Sequence, residues 1–232
     1  MSSHQDLTHR SIYSTRLPEG QHRGIKTDRV FRILLSNVDT DLTKYRIAKL
    51  AQAQQIQISL LLRRLEKSHL VHGTRVVDVK GLLLEWSRLR VKSESRSYLL
   101  KDIMNALRNV DLEYALTTYQ AETMVNRYLF PSRTDLYIRV GDFERWHDLL
   151  VNRGALVGGG NVRLRWYDDQ VFYNSFLVNG YRLVSRPQII VDLIREGGVT
   201  VQAAEMMTNN YHSFVQPNQP EMSKNDVAQA TV

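Results

Sequence analysis

Apolar residues in the first part of the chain recur every three or four positions, the spacing of amphipathic α-helices. The pattern predicts a first helix that ends near Asn37, with Thr27 or Asp28 as its N-cap. A short second helix follows Asp41, and a third begins after the polar segment 52–55. We expect the third helix to bury one apolar stripe, formed by Ile58, Leu61, Leu62 and Leu65.

Two short strands and a fourth helix are predicted next. The strands cover residues 70–73 and 74–79 and meet at Gly73, and the helix covers residues 81–90. Three helices followed by such a strand pair are the element order of a winged helix-turn-helix. We therefore predict a winged helix-turn-helix DNA-binding domain over residues 26–92.

The third helix of such a domain enters the major groove with the face that its core leaves free. The small Ala48 and Ala51 let the second and third helices pack closely, with the other face of the third helix turned outward. Glutamine and arginine pair with adenine and guanine edges, whereas Lys44, Tyr45 and Arg75 suit phosphates. The candidate DNA-binding residues are Lys44, Tyr45, Gln54, Gln55, Gln57, Ser59, Arg63, Arg64 and Arg75.

Each of these residues also has an interpretation without DNA. A charged residue on a helix face is commonly just solvated, and the whole domain could serve protein contacts only. Ile56 and Leu60 project away from the apolar stripe, where thymine methyl groups, a second copy of the chain or the second domain could contact them. The sequence leaves these alternatives open.

A polar, serine-rich break covers residues 91–97, and we place a domain boundary there. After this break, helical and strand patterns alternate along the chain. Strands that alternate with helices and then follow one another indicate a mixed α/β layer. The ends, residues 1–25 and 213–232, lack either period and are predicted to be a flexible arm and tail. The predicted elements are helices at 98–107, 119–126, 142–152, 188–195 and 201–208, and strands at 113–117, 134–140, 161–167, 171–178 and 181–184.

Four stretches of this second part carry a family resemblance. They are residues 114–122 (Tyr-Ala-Leu-Thr-Thr-Tyr-Gln-Ala-Glu), 130–137 (Phe-Pro-Ser-Arg-Thr-Asp-Leu-Tyr), 158–164 (Gly-Gly-Gly-Asn-Val-Arg-Leu) and 185–198 (Ser-Arg-Pro-Gln-Ile-Ile-Val-Asp-Leu-Ile-Arg-Glu-Gly-Gly). They resemble the AbiEi-type antitoxins of type IV toxin–antitoxin systems, particularly the archaeal branch of winged-helix regulators, and the resemblance covers about residues 26–211.

The resemblance implies a function for each part. It implies a winged helix that binds DNA and represses its own operon. It also implies a C-terminal domain over residues 97–212 that is related in fold to nucleotidyltransferases and counters a cognate toxin. The expected fold class is thus α+β, with a winged helix-turn-helix followed by a mixed α/β, degenerate nucleotidyltransferase-like domain.

The residues that a nucleotidyltransferase needs are only partly present. Such an enzyme holds triphosphate with a Gly-Ser turn and two magnesium ions with an Asp-x-Asp pair. The corresponding places read Thr117-Thr118 and Asp135-Leu-Tyr, with a single carboxylate. We therefore predict a domain without enzymatic activity. The alternative is a nucleic-acid-directed nucleotidyltransferase that uses Asp135 with a distant carboxylate such as Asp169.

The charged residues are unevenly distributed along the chain. The chain carries 31 Lys and Arg against 24 Asp and Glu, a formal net charge of +7. Up to Arg96 the count is 18 against 9, a net charge of +9, and from Ser97 it is 13 against 15, a net charge of −2. The basic part coincides with the predicted DNA-binding domain, as expected when one module meets a polyanion.

Other candidate chemistry is sparse. The absence of cysteine excludes disulfides, thiolate catalysis and cysteine-based metal sites, and the seven histidines show no ligand spacing. We interpret residues 158–160 as a turn, Asp168 and Asp169 as a hairpin turn, and Trp146 and Trp166 as packing residues. No secretory signal and no membrane-spanning apolar run is apparent, so we expect a cytoplasmic protein without cofactor or metal.

The sequence thus indicates a transcriptional regulator with two partners, operator DNA and a cognate toxin protein. Because operators are commonly two-fold symmetric, we expect the protein to bind DNA as a homodimer or as two cooperating monomers. A protein-interaction adaptor that binds no DNA is the remaining alternative.

Overall fold

The computed structural model describes residues 24–91 and 93–211, which form a mixed α+β fold. The predicted tail, and all of the predicted arm except Gly24 and Ile25, lie outside the described residues. The helices are α1 (Ile25–Leu35), α2 (Lys44–Ala51), α3 (Gln55–Lys67), α4 (Val79–Arg88), α5 (Ile103–Arg108), α6 (Thr118–Val125), α7 (Phe143–Asn152), α8 (Arg186–Glu196) and α9 (Thr200–Asn209). The strands are β1 (Val71–His72), β2 (Arg75–Val76), β3 (Glu94–Leu99), β4 (Tyr114–Thr117), β5 (Thr134–Ile138), β6 (Leu156–Val157), β7 (Val162–Trp166), β8 (Phe176–Val178) and β9 (Tyr181–Leu183), and short 3-10 helices cover Val140–Asp142 and Asp169–Phe172.

The first four helices and the antiparallel β1–β2 pair follow one another in the predicted order. Helices α2 and α4 begin where the sequence supplies capping side chains. Thr43 accepts a hydrogen bond from the backbone N–H of Arg46 (3.1 Å), and Asp78 accepts one from Gly81 (2.8 Å). Helix α3 turns its predicted stripe inward: Ile58, Leu62 and Leu65 are buried and Leu61 is partly buried.

The predicted N-cap of α1 is wrong. The helix begins at Ile25, and its N-cap is Gly24, whose φ of 92° lies in the left-handed region that favours glycine. Thr27 and Asp28 therefore lie inside the helix, and Asp28 is fully buried. The Asp28 carboxylate binds partners elsewhere in the fold instead of capping its own helix, so tertiary contacts overrode the local signal.

The second part of the chain forms a seven-stranded sheet with the strand order β6-β3-β7-β5-β4-β9-β8. The β5–β7 and β4–β9 pairs are parallel, and the other neighbouring strands are antiparallel. Helix α8 packs against α6 and α9 and also against α4 of the first part. We refer to residues 24–91 as the helical half and to residues 93–211 as the sheet half.

Three local predictions in the sheet half are wrong. Residues 98–99 belong to β3, which pairs with β6 and β7, and the helix α5 starts only at Ile103 behind its N-cap Asp102. Residues 171–172 belong to a 3-10 helix and not to a strand. Asp168 and Asp169 do not form a hairpin turn, because β5, β4 and β9 separate β7 from β8 in the sheet.

The two halves are packed together by apolar and polar contacts. Their buried apolar side chains form one cluster, in which the Trp86 side chain is fully buried. The guanidinium of Arg195 on α8 donates hydrogen bonds to the carbonyls of Trp86 (3.0 Å) and Leu89 (3.2 Å) at the end of α4. Each carbonyl also accepts one backbone hydrogen bond, from the N–H of Leu89 to Trp86 and from the N–H of Val91 to Leu89, so the sheet half adds a second donor at the end of a helix in the helical half.

Gly160, at the start of the segment that leads into β7, lies against the backbone of β3. A Cβ atom at Gly160 would meet the carbonyl oxygen of Tyr98 and lie 2.6 Å from the Leu99 backbone nitrogen. We expect Gly160→Ala to lower the free energy of unfolding by about 1–3 kcal/mol, the usual cost of overpacking. Gly159→Ala is the matched control, because nothing lies within 4 Å of its Cβ position. Equal urea midpoints for the two variants would contradict the close approach.

Candidate nucleic-acid interface

Helix α3 presents an outward face on the side opposite its buried stripe. The spacing of Ile56, Leu60, Arg63 and Lys67 places them on one row of the helix, and all four are exposed. Ile56 is 65% and Leu60 58% exposed, which is unusual for large apolar residues. The outward row is thus apolar in its first half and basic in its second half.

The candidate DNA-binding residues lie around this row. Ser59 is partly buried, whereas the others are exposed. Gln54 is the N-cap residue of α3, but its side chain makes no capping hydrogen bond, and the first turn holds no acidic residue. The start of α3 is therefore free of the negative charges that would compete with a phosphate for the helix N-terminus. A groove at this end of α3 is lined by Lys26, Tyr45, Lys49, Gln52, Gln54 and Gln55.

The cations on and around α1 to α3 include a group with a carboxylate partner and a group without one. Arg75 donates bidentate hydrogen bonds to Asp41, with an ion-pair distance of 2.9 Å, and Arg64 lies 3.8 Å from Glu85. Their charges are therefore partly compensated by a neighbouring carboxylate. A second group makes no side-chain hydrogen bond or ion pair with any residue that the structure describes: Lys26, Lys44, Arg46, Lys49, Arg63 and Lys67. We call these six residues the free cations of α1 to α3.

Asp135 of β5 is fully buried and saturated with hydrogen bonds. Arg133 and Arg163 each donate two hydrogen bonds to its carboxylate, at 2.8 and 3.0 Å. The Thr118 hydroxyl donates a further hydrogen bond to the same carboxylate. Both arginines also bind Glu196 of α8, at 2.6 and 2.8 Å. Two guanidinium groups and two carboxylates thus form a closed, neutral ring that includes Asp135 and Glu196.

The ring stabilises the ionised form of the Glu196 carboxyl group. Burial alone would raise the pKa of the Glu196 carboxyl, but hydrogen bonds and charge from Arg133 and Arg163 outweigh burial and hold the pKa below its usual range. The two arginines therefore bind carboxylates of the chain, and each of the two carboxylates binds both arginines. Each member of the ring already has its charge partner within the chain.

The structure does not bring Asp135 and Asp169 together. Asp135 lies near the start of β5, whereas the Asp169 carboxylate accepts a hydrogen bond from the backbone of Val140 (3.0 Å), beyond the other end of that strand. Val140 follows Asp135 by five positions of extended chain, a span of about 16 Å, whereas two-metal sites need ions about 4 Å apart. Thr117 donates its hydroxyl to Asp192 (2.7 Å). Among the described residues, no cluster of three or more histidine or acidic side chains could hold a metal ion.

A buried polar network that the sequence pattern does not predict connects the two halves. Asp28 accepts hydrogen bonds from Arg32 (2.6 Å), from the indole of Trp86 (2.6 Å) and from the hydroxyl of Tyr167 (2.9 Å). Arg32 in turn donates to Gln188 (2.9 Å) of α8. The only indication of this network in the sequence is the i, i+4 spacing of Asp28 and Arg32 within an apolar helix. That spacing is equally compatible with a buried and with an exposed ion pair.

Charge and hydrogen bonds stabilise the ionised form of Asp28. Burial would raise the pKa of this carboxyl, but Arg32, Arg195 and the bonds from Trp86 and Tyr167 hold the pKa below its usual value. The carboxylate therefore stays charged at neutral pH, in a site that excludes water. It joins α1, α4 and Tyr167, the residue after β7, at one point.

Comparisons of the chain with protein-family models, with curated proteins and with solved structures find no match. Within the described residues, no helix is both long enough and apolar enough to cross a bilayer.

Proposed function

We propose that the protein is a DNA-binding transcriptional regulator whose helix α3 lies in the major groove of duplex DNA. The observation that carries the proposal is the set of free cations on α1 to α3, next to an exposed face of α3. Exposed lysine and arginine side chains without internal carboxylate partners are available to replace the counterions of a phosphate backbone. By contrast, several arginines of the sheet half, such as Arg133 and Arg163, are engaged by carboxylates of the chain.

The arrangement around α3 supports a division of roles. In helix-turn-helix proteins the N-terminal residues of the recognition helix contact base edges, and here that end carries Gln54, Gln55 and Ile56. Glutamine pairs with adenine, and an apolar side chain contacts a thymine methyl group. Lys26, Lys49 and the N-terminus of α3 surround one groove, where a phosphate would neutralise them. In this account residues 26–92 are a winged helix-turn-helix domain.

The test is the affinity for duplex DNA of the double variant Arg63→Ala, Lys67→Ala. Both residues lie on the outward row of α3 and belong to the free cations, so we expect the affinity to fall by about 10- to 100-fold. The control is Lys101→Ala, Arg145→Ala, which removes the same charge from exposed positions of the sheet half. Equal losses in both variants would reveal only a general effect of net charge, and no loss in the first would exclude α3 as the interface.

We further propose that the regulator is an antitoxin that represses its own operon, acts in the cytoplasm and binds DNA as a homodimer. The resemblance to AbiEi-type antitoxins supports this role, and it assigns residues 97–212 to a degenerate nucleotidyltransferase-like domain that counters a toxin. The engagement of Asp135 by two arginines and a threonine fits a domain that does not use this carboxylate to hold metal. Co-expression of the full chain with the product of the adjacent gene tests the role: growth arrest that the chain does not relieve would exclude it.

A protein-interaction adaptor is the second candidate, and a specific observation favours it. Ile56 and Leu60 leave an apolar surface in the first half of the outward row of α3, where a protein partner would bury it. An adaptor that uses this surface would show no salt-dependent affinity for duplex DNA. The charge variants above separate the two candidates, because they remove cations and leave the apolar pair in place.

A further inference from the structure

Arg29 of α1 connects the sheet half to the turn between α2 and α3. Its Nε and Nη2 atoms donate bidentate hydrogen bonds to the Asp168 carboxylate, at 2.8 and 2.7 Å. Its Nη1 atom donates to the carbonyl of Ala51 (3.2 Å) and to the side chain of Gln52 (2.7 Å). The Asp168 side chain is only 4% exposed and that of Arg29 17%, so solvent screens this ion pair weakly.

Gln170 makes a second connection to the same turn. Its amide nitrogen donates to the carbonyl of Leu50 (3.3 Å), while its amide oxygen accepts a hydrogen bond from Arg32 (2.7 Å). Leu50 and Ala51 end α2, where backbone carbonyls lack partners within the helix. Segment 168–170 therefore contacts the last turn of α2 directly at the Leu50 carbonyl, through Gln170, and indirectly at the Ala51 carbonyl, through Arg29.

The turn that these contacts hold leads directly into α3. Gln52 ends α2 in the left-handed conformation, with φ 51° and ψ 44°, and α3 begins three residues later at Gln55. This conformation costs a non-glycine residue about 1–2 kcal/mol and persists only where the surrounding contacts hold it. The hydrogen bond from Arg29 to the Gln52 side chain is a contact of this kind.

Segment 168–170, at the other end of these contacts, lies close to the central sheet. Asp168 and Gln170 lie two and four residues after the end of β7, which is inside the sheet between β3 and β5. Tyr167, the residue before Asp168, is buried and donates to Asp28. The segment is thus held by the central sheet on one side and contacts the α2–α3 turn on the other.

We propose that Arg29, Asp168 and Gln170 are positioning residues for DNA binding, through which the sheet half sets the orientation of α3 and hence the DNA affinity of the helical half. The inference rests on the proposed DNA binding. It adds that the sheet half contributes to this affinity without contacting DNA. A partner that displaces segment 168–170 would lower DNA affinity, and DNA would by reciprocity weaken that partner.

The experiment compares Asp168→Asn with Asp169→Asn in the full chain. Each substitution removes one negative charge at adjacent positions, and charge alone would leave duplex DNA affinity unchanged or slightly higher in both. Only Asp168 binds Arg29, because Asp169 pairs instead with Arg139 and with the backbone of Val140. We expect Asp168→Asn to lower the affinity by about 5- to 150-fold, the usual range of coupling between sites, and Asp169→Asn not to lower it. Gln170→Ala, which changes no charge, is expected to act in the same direction as Asp168→Asn.

A second measurement on the free protein separates positioning from general unfolding. We expect the amides of Gln52 and Ala53, whose bonds to Lys49 and Ala48 close the turn, to exchange hydrogen faster in Asp168→Asn and Gln170→Ala. Amides of the central strands β5 and β7 are expected to keep their exchange rates. Unchanged exchange at the turn, or unchanged DNA affinity in both variants, would overturn this inference while the wild-type protein still binds DNA. Absence of DNA binding by the wild-type protein would instead refute the proposed function.

Discussion

Replacing Asp28 by alanine is expected to lower the free energy of unfolding by about 3–5 kcal/mol, the cost of removing one partner from a buried ion pair. The substitution leaves the fully buried guanidinium of Arg32 without its carboxylate. It also removes the acceptor of the Trp86 indole N–H and of the Tyr167 hydroxyl. Buried donors that lose their partner carry their full desolvation penalty, so the three losses act in one direction.

Urea unfolding of the full chain measures this effect. The matched control is Asp148→Ala, which removes an exposed carboxylate from helix α7 and is expected to change stability by less than about 0.5 kcal/mol. The large loss in Asp28→Ala should accompany a single transition, because Asp28 joins both halves of the structure. A loss in Asp28→Ala no greater than in Asp148→Ala would contradict the buried network as described.

The helices of the helical half could be predicted because their periodicity is a local signal. Ile58, Leu62 and Leu65 share one face of α3, and the apolar spacing alone indicates which side is buried. The exposure of most candidate DNA-binding residues follows from the same pattern. Asp28 could not be placed in this way, because an aspartate near a helix start is commonly a cap and its partner Tyr167 is 139 residues away.

Strand β3 shows the same limit in the sheet half. Its sequence, Glu-Ser-Arg-Ser-Tyr-Leu, is mostly polar and looks like a linker, but it pairs with β7 along its length and with β6 at its end. These partners lie more than fifty residues further along the chain, and pairing of this kind leaves little local trace. For the same reason the contact between Arg29 and Asp168, the basis of the positioning role, has no signature in either segment.

The salt dependence of duplex DNA binding is the second large effect that we expect. Each cation that neutralises a phosphate contributes about −0.9 to the slope of log affinity against log salt concentration. If all six free cations of α1 to α3 contact phosphates, the slope is about −5, and affinity falls by about 10³-fold between 50 and 200 mM salt. Arg75 and Arg64, which already have carboxylate partners, are expected to add little to this slope.

A titration of the full-length protein with duplex DNA at several salt concentrations is therefore the most direct test of the DNA-binding face. The control variant Lys101→Ala, Arg145→Ala should keep the wild-type slope, because its two cations lie in the sheet half. The variant Arg63→Ala, Lys67→Ala should bind more weakly with a slope that is smaller by about 2, one for each lost phosphate contact. An affinity that does not change with salt, or a slope that is the same in both variants, would contradict the account.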